Sequence, residues 1–281
     1  MFRFCQVEVP WALGPDDGRY VVRRHAGEQP DHVLVVATLG APQRRLLGAK
    51  RARAAAPEPS PAPVATGRAT VIAAEPFASA DEAERWLRGA DPEAEMHTAL
   101  VVLNRALHAH RVAGADPYAR EVARADALVA RVGVGAGEQV AEGRWTEAVE
   151  LPPPAAGRRR RTAALRPQER LAALLGGRDA ALACELFVLR ARADLDAGRQ
   201  REAALELRTA LEAALAELPA WAESGDLARR LAELGGEREA AETLATAALG
   251  RGLDAEEADE VARILGRVEA ALRARSAAGF S

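Results

Sequence analysis

Lysine is almost missing from this chain: of 38 basic residues, Lys50 is the only lysine and the rest are arginine. That scarcity removes most lysine-dependent chemistry. A phosphate loop ending in Gly-Lys fails, as does a kinase-like strand–glycine–strand loop at 133–140, which needs a lysine on a later strand. Aromatic residues are only 4% of the chain although 49% is apolar, so a core must be built from Ala, Leu and Val. Cysteine is limited to Cys5 and Cys184. Their separation excludes a C-x-x-C redox pair or a zinc knuckle and fits a reducing compartment. None of the five serines lies in G-x-S-x-G. No run of about 18 apolar residues is present, and the first eight residues lack the apolar centre of a secretory leader. A soluble, cytoplasmic protein without a membrane anchor is expected. The net charge of −3 gives no overall pull toward nucleic acid.

What is present divides the chain. Residues 2–9, Tyr20-Val-Val-Arg-Arg, His32-Val-Leu-Val-Val-Ala-Thr and Ala69-Thr-Val-Ile-Ala-Ala are β-branched runs between Gly, Pro and Asp punctuation, and read as strands. Between them, residues 41–67 collapse into Ala, Pro and Arg around Pro57-Glu-Pro-Ser-Pro-Ala-Pro63, with no apolar period, which reads as a disordered insertion. Ser79-Ala-Asp-Glu82 has the form of a capping box. A longer helix is expected from about Pro92 to Ala113, with Met96, Leu100, Leu103 and Leu107 at helical spacing. Asp116-Pro117 signals another short helix, 127–133 a strand, and Glu138–Leu151 one or two more turning near Gly143. Pro152-Pro-Pro154 and Arg158–Arg161 mark the boundary. Beyond it, helices are expected at about 167–175, 178–197, 199–217, 226–234, 237–250 and 255–275. The expected architecture is an α+β domain over 1–152, a Pro/Arg linker over 153–166, and an all-α region of helical hairpins over 167–281.

The helical region contains an echo. Gly198-x-x-x-Glu-Ala-Ala returns 37 residues on at Gly235. Over about 184–253 it resembles the tetratricopeptide repeat family. Ala191 stands at the small position of the first helix, Gly198 at the turn, Glu202-Ala203 at the start of the second helix, and Leu207 and Ala210 at the positions that pack back. Leu227, Ala228, Leu231, Gly235, Glu239-Ala240, Leu244 and Ala247 repeat the pattern. No Trp or Tyr occupies the family's aromatic positions, the spacing exceeds the usual 34, and the unit-ending proline is displaced to Pro219. A short repeat array and a generic helical bundle both remain open. The resemblance implies stacked helical hairpins and a surface that docks protein.

Few constellations promise chemistry. Gly133-Val-Gly135-Ala-Gly137 invites a nucleotide-loop reading, but the G-x-x-G half of a dinucleotide motif is missing, and a glycine-rich hairpin or bulge is favoured. His97, Asn104 and His108 share a helix face without a carboxylate, which favours a solvated face over a metal site. Two arginine-rich stretches remain. Residues 41–68 hold Arg44, Arg45, Lys50, Arg51, Arg53 and Arg68 against Glu58. Residues 155–170 hold Arg158, Arg159, Arg160, Arg161, Arg166 and Arg170 against Glu169. Such segments can grip a phosphate backbone, although no aromatic residue is interleaved for base stacking.

The sequence therefore points first to a non-enzymatic interaction or scaffold protein with a protein partner and no cofactor. The alternatives are a nucleic-acid- or nucleotide-associated protein using Arg158–Arg161 and Gly133, Gly135 and Gly137, and an enzyme in the N-terminal domain. The oligomeric state is left open.

Overall fold

A computed structural model describes residues 1–23, 27–40, 64–154, 167–222 and 226–277. The chain separates into two compact units, Met1–Pro154 and Ala155–Ser281. The first is α+β and the second helical, as expected.

The first unit is a six-stranded antiparallel sheet. Its strands are β1 (Phe2–Val9), β2 (Gly18–Val22), β3 (His32–Leu39), β4 (Thr66–Ala73), β5 (Val129–Gly135) and β6 (Glu147–Glu150), in the order β2-β3-β4-β1-β5-β6. β1 lies between β4 and β5 and is antiparallel to both. Those two strands therefore run parallel to each other and need a crossover. The crossover is α1 (Ala80–Gly89) followed by α2 (Pro92–Ala113). α1 starts as its capping box predicts, with Glu82 N–H donating to Ser79 Oγ at 3.1 Å; α2 starts at Asp91, whose Oδ1 accepts from Glu93 and Ala94 N–H with Pro92 in the first turn.

Register decides what the helices cover. Leu34, Val71, Cys5 and Val132 form one row across the sheet, and Val36, Ala69, Val7 and Ala130 the next. Their side chains pack with Leu87, Met96, Leu100, Leu103 and Leu107 in one apolar core. The opposite face of the same strands carries Phe4, Ile72 and a polar row. Buried Gln6 donates Nε2 to Thr70 Oγ1 at 3.0 Å, and Arg131 reaches Gln6 Oε1 at 3.2 Å.

Three local expectations are corrected. No α-helix follows Asp116-Pro117: Tyr118 N–H bonds Asp116 Oδ1 at 2.9 Å, and the turn goes no further. Asn104 of α2 has already claimed Val122, donating to its C=O at 3.0 Å and accepting from its N–H at 2.8 Å, which holds the backbone in an irregular path. The stretch Gly137–Glu142 is a 3-10 turn rather than a strand. Its Val140 buries against Phe4 and Ile72, so the run covers the second sheet face instead of extending it. β4 begins at Thr66, earlier than the β-branched run at Ala69 suggests, because its neighbours already pair there: Leu39 of β3 faces Thr66 and Val9 of β1 faces Gly67.

The second unit comprises α3 (Pro167–Leu175), α4 (Ala183–Asp196), α5 (Gln200–Glu217), α6 (Asp226–Gly235), α7 (Arg238–Gly250) and α8 (Ala255–Ala277). Alanine sets the packing. Ala191 meets a face of α5 bearing Ala203, Ala204, Leu207, Ala210, Leu211 and Ala214, and α8 closes the core with Val261, Ile264, Leu265 and Val268. Small residues let the axes of α4 and α5 approach closely. Gly198 takes φ 73 in the turn between them, and Gly235 ends α6. Among the described residues, no helix is long and apolar enough to cross a membrane.

Candidate functional site

Residues Arg158, Arg159, Arg160 and Arg161 lie outside the described residues, as do Arg44, Arg45, Lys50, Arg51, Arg53 and Arg166. The two described members of those arginine-rich stretches face carboxylates of the chain itself. Arg68 donates Nε and Nη2 to Glu8 Oε1 at 2.9 and 2.8 Å. Arg170 donates to Asp179 at 3.3 Å and to Glu185 at 2.6 Å.

The glycine loop is filled by the protein. A Cβ on Gly133 would stand 2.4 Å from Glu147 C=O, and one on Gly135 would stand 2.4 Å from Val140 Cγ1. Both glycines thus admit neighbouring chain rather than leave a cradle. Gly137 takes φ 63 and turns the chain into the 3-10 segment.

The thiols are poorly placed as nucleophiles. Burial, aided by the Glu95 carboxylate, pushes Cys5 up to about 12, and its Sγ–H donates to Glu95 C=O at 3.6 Å. Burial and Glu217 push Cys184 up to about 12 as well. Cys5 and His32 line the same 250 Å³ cavity with Arg3, Trp86, Glu95 and Thr98. His32 nevertheless pairs with Ala73, two residues along from the Val71 that faces Cys5, on the second strand over. That places their backbones ~10 Å apart across the sheet and ~7 Å along it. Burial holds the His32 imidazole below its ordinary range although Asp31 lies 3.3 Å away. Cys5 and His32 therefore do not form a thiol–base pair. No group of three or more His, Cys, Asp or Glu suited to a metal occurs among the described residues. In the turn at Asp16-Asp17, Asp16 C=O accepts from Tyr20 Oη at 2.7 Å and Asp17 Oδ1 accepts from Thr38 Oγ1 at 2.8 Å.

The feature that sequence reasoning missed lies on the helical unit. On α5 exposed charged residues are bridged to α7, Arg208 to Glu242 at 3.1 Å and Glu212 to Arg238 at 3.0 Å. On α4 the outward positions are Leu186, Leu189, Arg190 and Ala193, one face of a helix by spacing. Leu186 and Leu189 are 54% and 66% exposed, and Leu171 and Leu175 of α3 are 48% and 80% exposed. Four leucines on two consecutive helices remain in solvent. The helical period shows that these residues share a side; it does not show that this side has no partner inside the unit.

In the same unit a charged cluster joins six segments: α3, the connection around Asp179, α4, the end of α5, the turn at Trp221 and α8. Arg275 of α8, only 4% exposed, donates to Asp179 at 2.8 Å and to Glu185 at 3.3 Å. Its guanidinium sits 4.4 Å from the centre of the Trp221 ring. Arg170 of α3 bonds the same two carboxylates. Glu217, at the end of α5, accepts the Ala183 and Cys184 N–H groups at the start of α4, at 3.1 and 3.0 Å. Burial alone would raise the Asp179 and Glu217 carboxyls. For Asp179 the Ala180 N–H and both arginines outweigh it, for Glu217 the Cys184 N–H and thiol together with the Ala183 N–H do, and both carboxyls are held below the usual range. The cluster fixes how α3 and α4 present their leucines. No protein-family model matches this chain, and no curated protein or solved structure matches it either.

Proposed function

We propose that this protein is a non-enzymatic docking protein, and that its helical unit takes a protein partner on the leucine face of α3 and α4. The supporting observation is the set of exposed side chains Leu171, Leu175, Leu186 and Leu189, carried on helices that a buried charge cluster holds in place. Each helix carries two of them on its exposed positions, and several large apolar side chains left in solvent are a mark of an interaction site. The tetratricopeptide-like echo over 184–253 points the same way. Arg178 and Arg190, both exposed neighbours of these leucines, favour a partner whose apolar anchors carry acidic flanks.

The test compares full-length chain with the double variant Leu186→Glu, Leu189→Glu in affinity capture from the native host. Both positions are exposed, so the thermal midpoint should stay within a few degrees of the parent while partner recovery falls at least tenfold. Equal recovery by the variant, or by residues 1–154 alone, would refute the reading.

A further inference from the structure

A second surface lies in the first unit, at the sheet edge where no other described strand pairs with β2. β2 is the end strand. An edge strand leaves alternate N–H and C=O groups unpaired along its outer side, and proteins commonly blunt such edges with Lys, Pro or a bulge. Gly18–Val22 contains no proline or lysine, and Arg19 is its one charged residue. Tyr20 stands opposite Leu34 and so faces the helix side of the sheet, half exposed beside Val21 at 54%.

On that side a groove of about 540 Å³ runs between β2 and the last turns of α2. Leu34 forms its floor, Tyr20 and Val22 one wall, and Ala106, Ala109 and Ala113 the other. The volume falls in the ~300–1,000 Å³ range of ligand-binding clefts. The small alanine side chains keep it open where a leucine at the same positions would fill it. The rim carries Arg23, Arg105 and His110 against Asp16 alone. Arg105 Nη2 donates to Arg23 C=O at 2.9 Å, which ties the end of α2 to the end of β2.

An unpaired strand beside an apolar groove with a cationic rim has the makings of strand addition, in which backbone hydrogen bonds supply affinity and alternate side chains enter the groove. We propose that β2 and this groove bind an extended peptide segment of a partner, with apolar residues at alternate positions and at least one carboxylate for the Arg23–Arg105 rim. A second copy of this chain fits less well. Pairing β2 with β2 would bring Arg19 and Arg23 of one copy toward Arg23 and Arg105 of the other. The proposal uses none of the leucines of α3 and α4, so either reading can fail alone.

The probe is a phage-displayed library of random ten-residue peptides panned against the full-length chain, with the recovered consensus peptide synthesised for titration. Expected results are an alternating apolar consensus with acidic residues, new hydrogen-exchange protection at amides 18–22 on binding, and an affinity that falls with added salt. Ala109→Trp fills the groove from an exposed helix position and should weaken binding at least tenfold while leaving the helical signal intact. Arg105→Glu should weaken it by a similar factor and flatten the salt dependence. The proposal is overturned by failure to select any peptide, by binding indifferent to Ala109→Trp, or by protection confined to α3 and α4. Protection of amides 18–22 already complete in the free chain would also overturn it. So would a concentration-dependent dimer that Ala109→Trp abolishes, which would make a second copy the occupant.

Discussion

Arg275→Ala tests whether the buried charge cluster organises the helical unit. The side chain is 4% exposed and makes two charge-assisted hydrogen bonds, at 2.8 Å to Asp179 and 3.3 Å to Glu185, while lying 4.4 Å over Trp221. Removing one partner from a buried ion pair commonly costs about 3–5 kcal/mol because a charge is stranded. Here Arg170 stays bonded to both carboxylates, which lowers the figure. The lost contact with the Trp221 ring adds back about 0.5–2 kcal/mol. The expected loss is about 2–4 kcal/mol, equivalent to a fall of roughly 8–16 °C in the midpoint of a unit of this size. Circular dichroism at 222 nm, which is dominated by the helical unit, follows it directly. Arg275→Met keeps the stem against Trp221 without the charge and should lose about half as much. A loss below about 1 kcal/mol for the alanine variant would show that the cluster is incidental to the packing.

Gly133→Ala should destabilise the first unit by about 2–3 kcal/mol, since the added Cβ meets Glu147 C=O, a backbone atom that cannot swing aside; wild-type stability in thermal unfolding would contradict the close approach. Acidification should weaken the first unit from about pH 6.5 downward, because the His32 imidazole takes a proton less readily folded than unfolded. His32→Gln should flatten that limb of the stability–pH curve. In the helical unit the depressed carboxyls Asp179, Glu217 and Glu237, the last held by Arg263 and Arg267, contribute stability that is full above the ordinary carboxylate range near 4 and is lost as pH falls through their lower folded values. A helical signal unchanged in stability between pH 7 and pH 3 would contradict this. Both thiols should resist a disulfide reagent at pH 8 in the native chain and react after denaturation, because both are buried and pushed up to about 12; prompt native reaction of Cys184 would show that the α4–α5 seam opens.

Elements whose signal is local were legible in the sequence. Ser79 announced α1 because a cap satisfies N–H groups within its own turn, and Met96, Leu100, Leu103 and Leu107 announced α2 by their helical spacing. The strands showed as β-branched runs because that chemistry suits a pleated, covered surface. What escaped depended on distant partners. Asp116-Pro117 could start a helix, but Asn104 captured Val122 from another element and held the chain irregular. Residues 138–142 looked strand-like, yet Val140 found Phe4 and Ile72 on a sheet face that only the assembled register reveals. The outward leucines of α4 obey the same helical period as inward ones, so nothing in their spacing separates surface from core. The groove beside β2 joins residues that spacing cannot relate, since Tyr20 and Ala109 meet only through strand order.

The central position of β1 has a consequence for how the chain is made. β1 is flanked on both sides, by β4 through Phe4–Ile72 and by β5 through Cys5–Val132, and both neighbours come later in the sequence. At about 5–20 residues per second of synthesis, β5 follows β1 by roughly ten seconds. Until β4 is made, Phe2–Val9, with Phe4, Val7 and Val9 destined for burial, has two vacant edges, and one of them stays vacant until β5 follows. The sheet therefore closes late, around a strand that waits for both its partners and is the stretch most in need of shelter while they are being written.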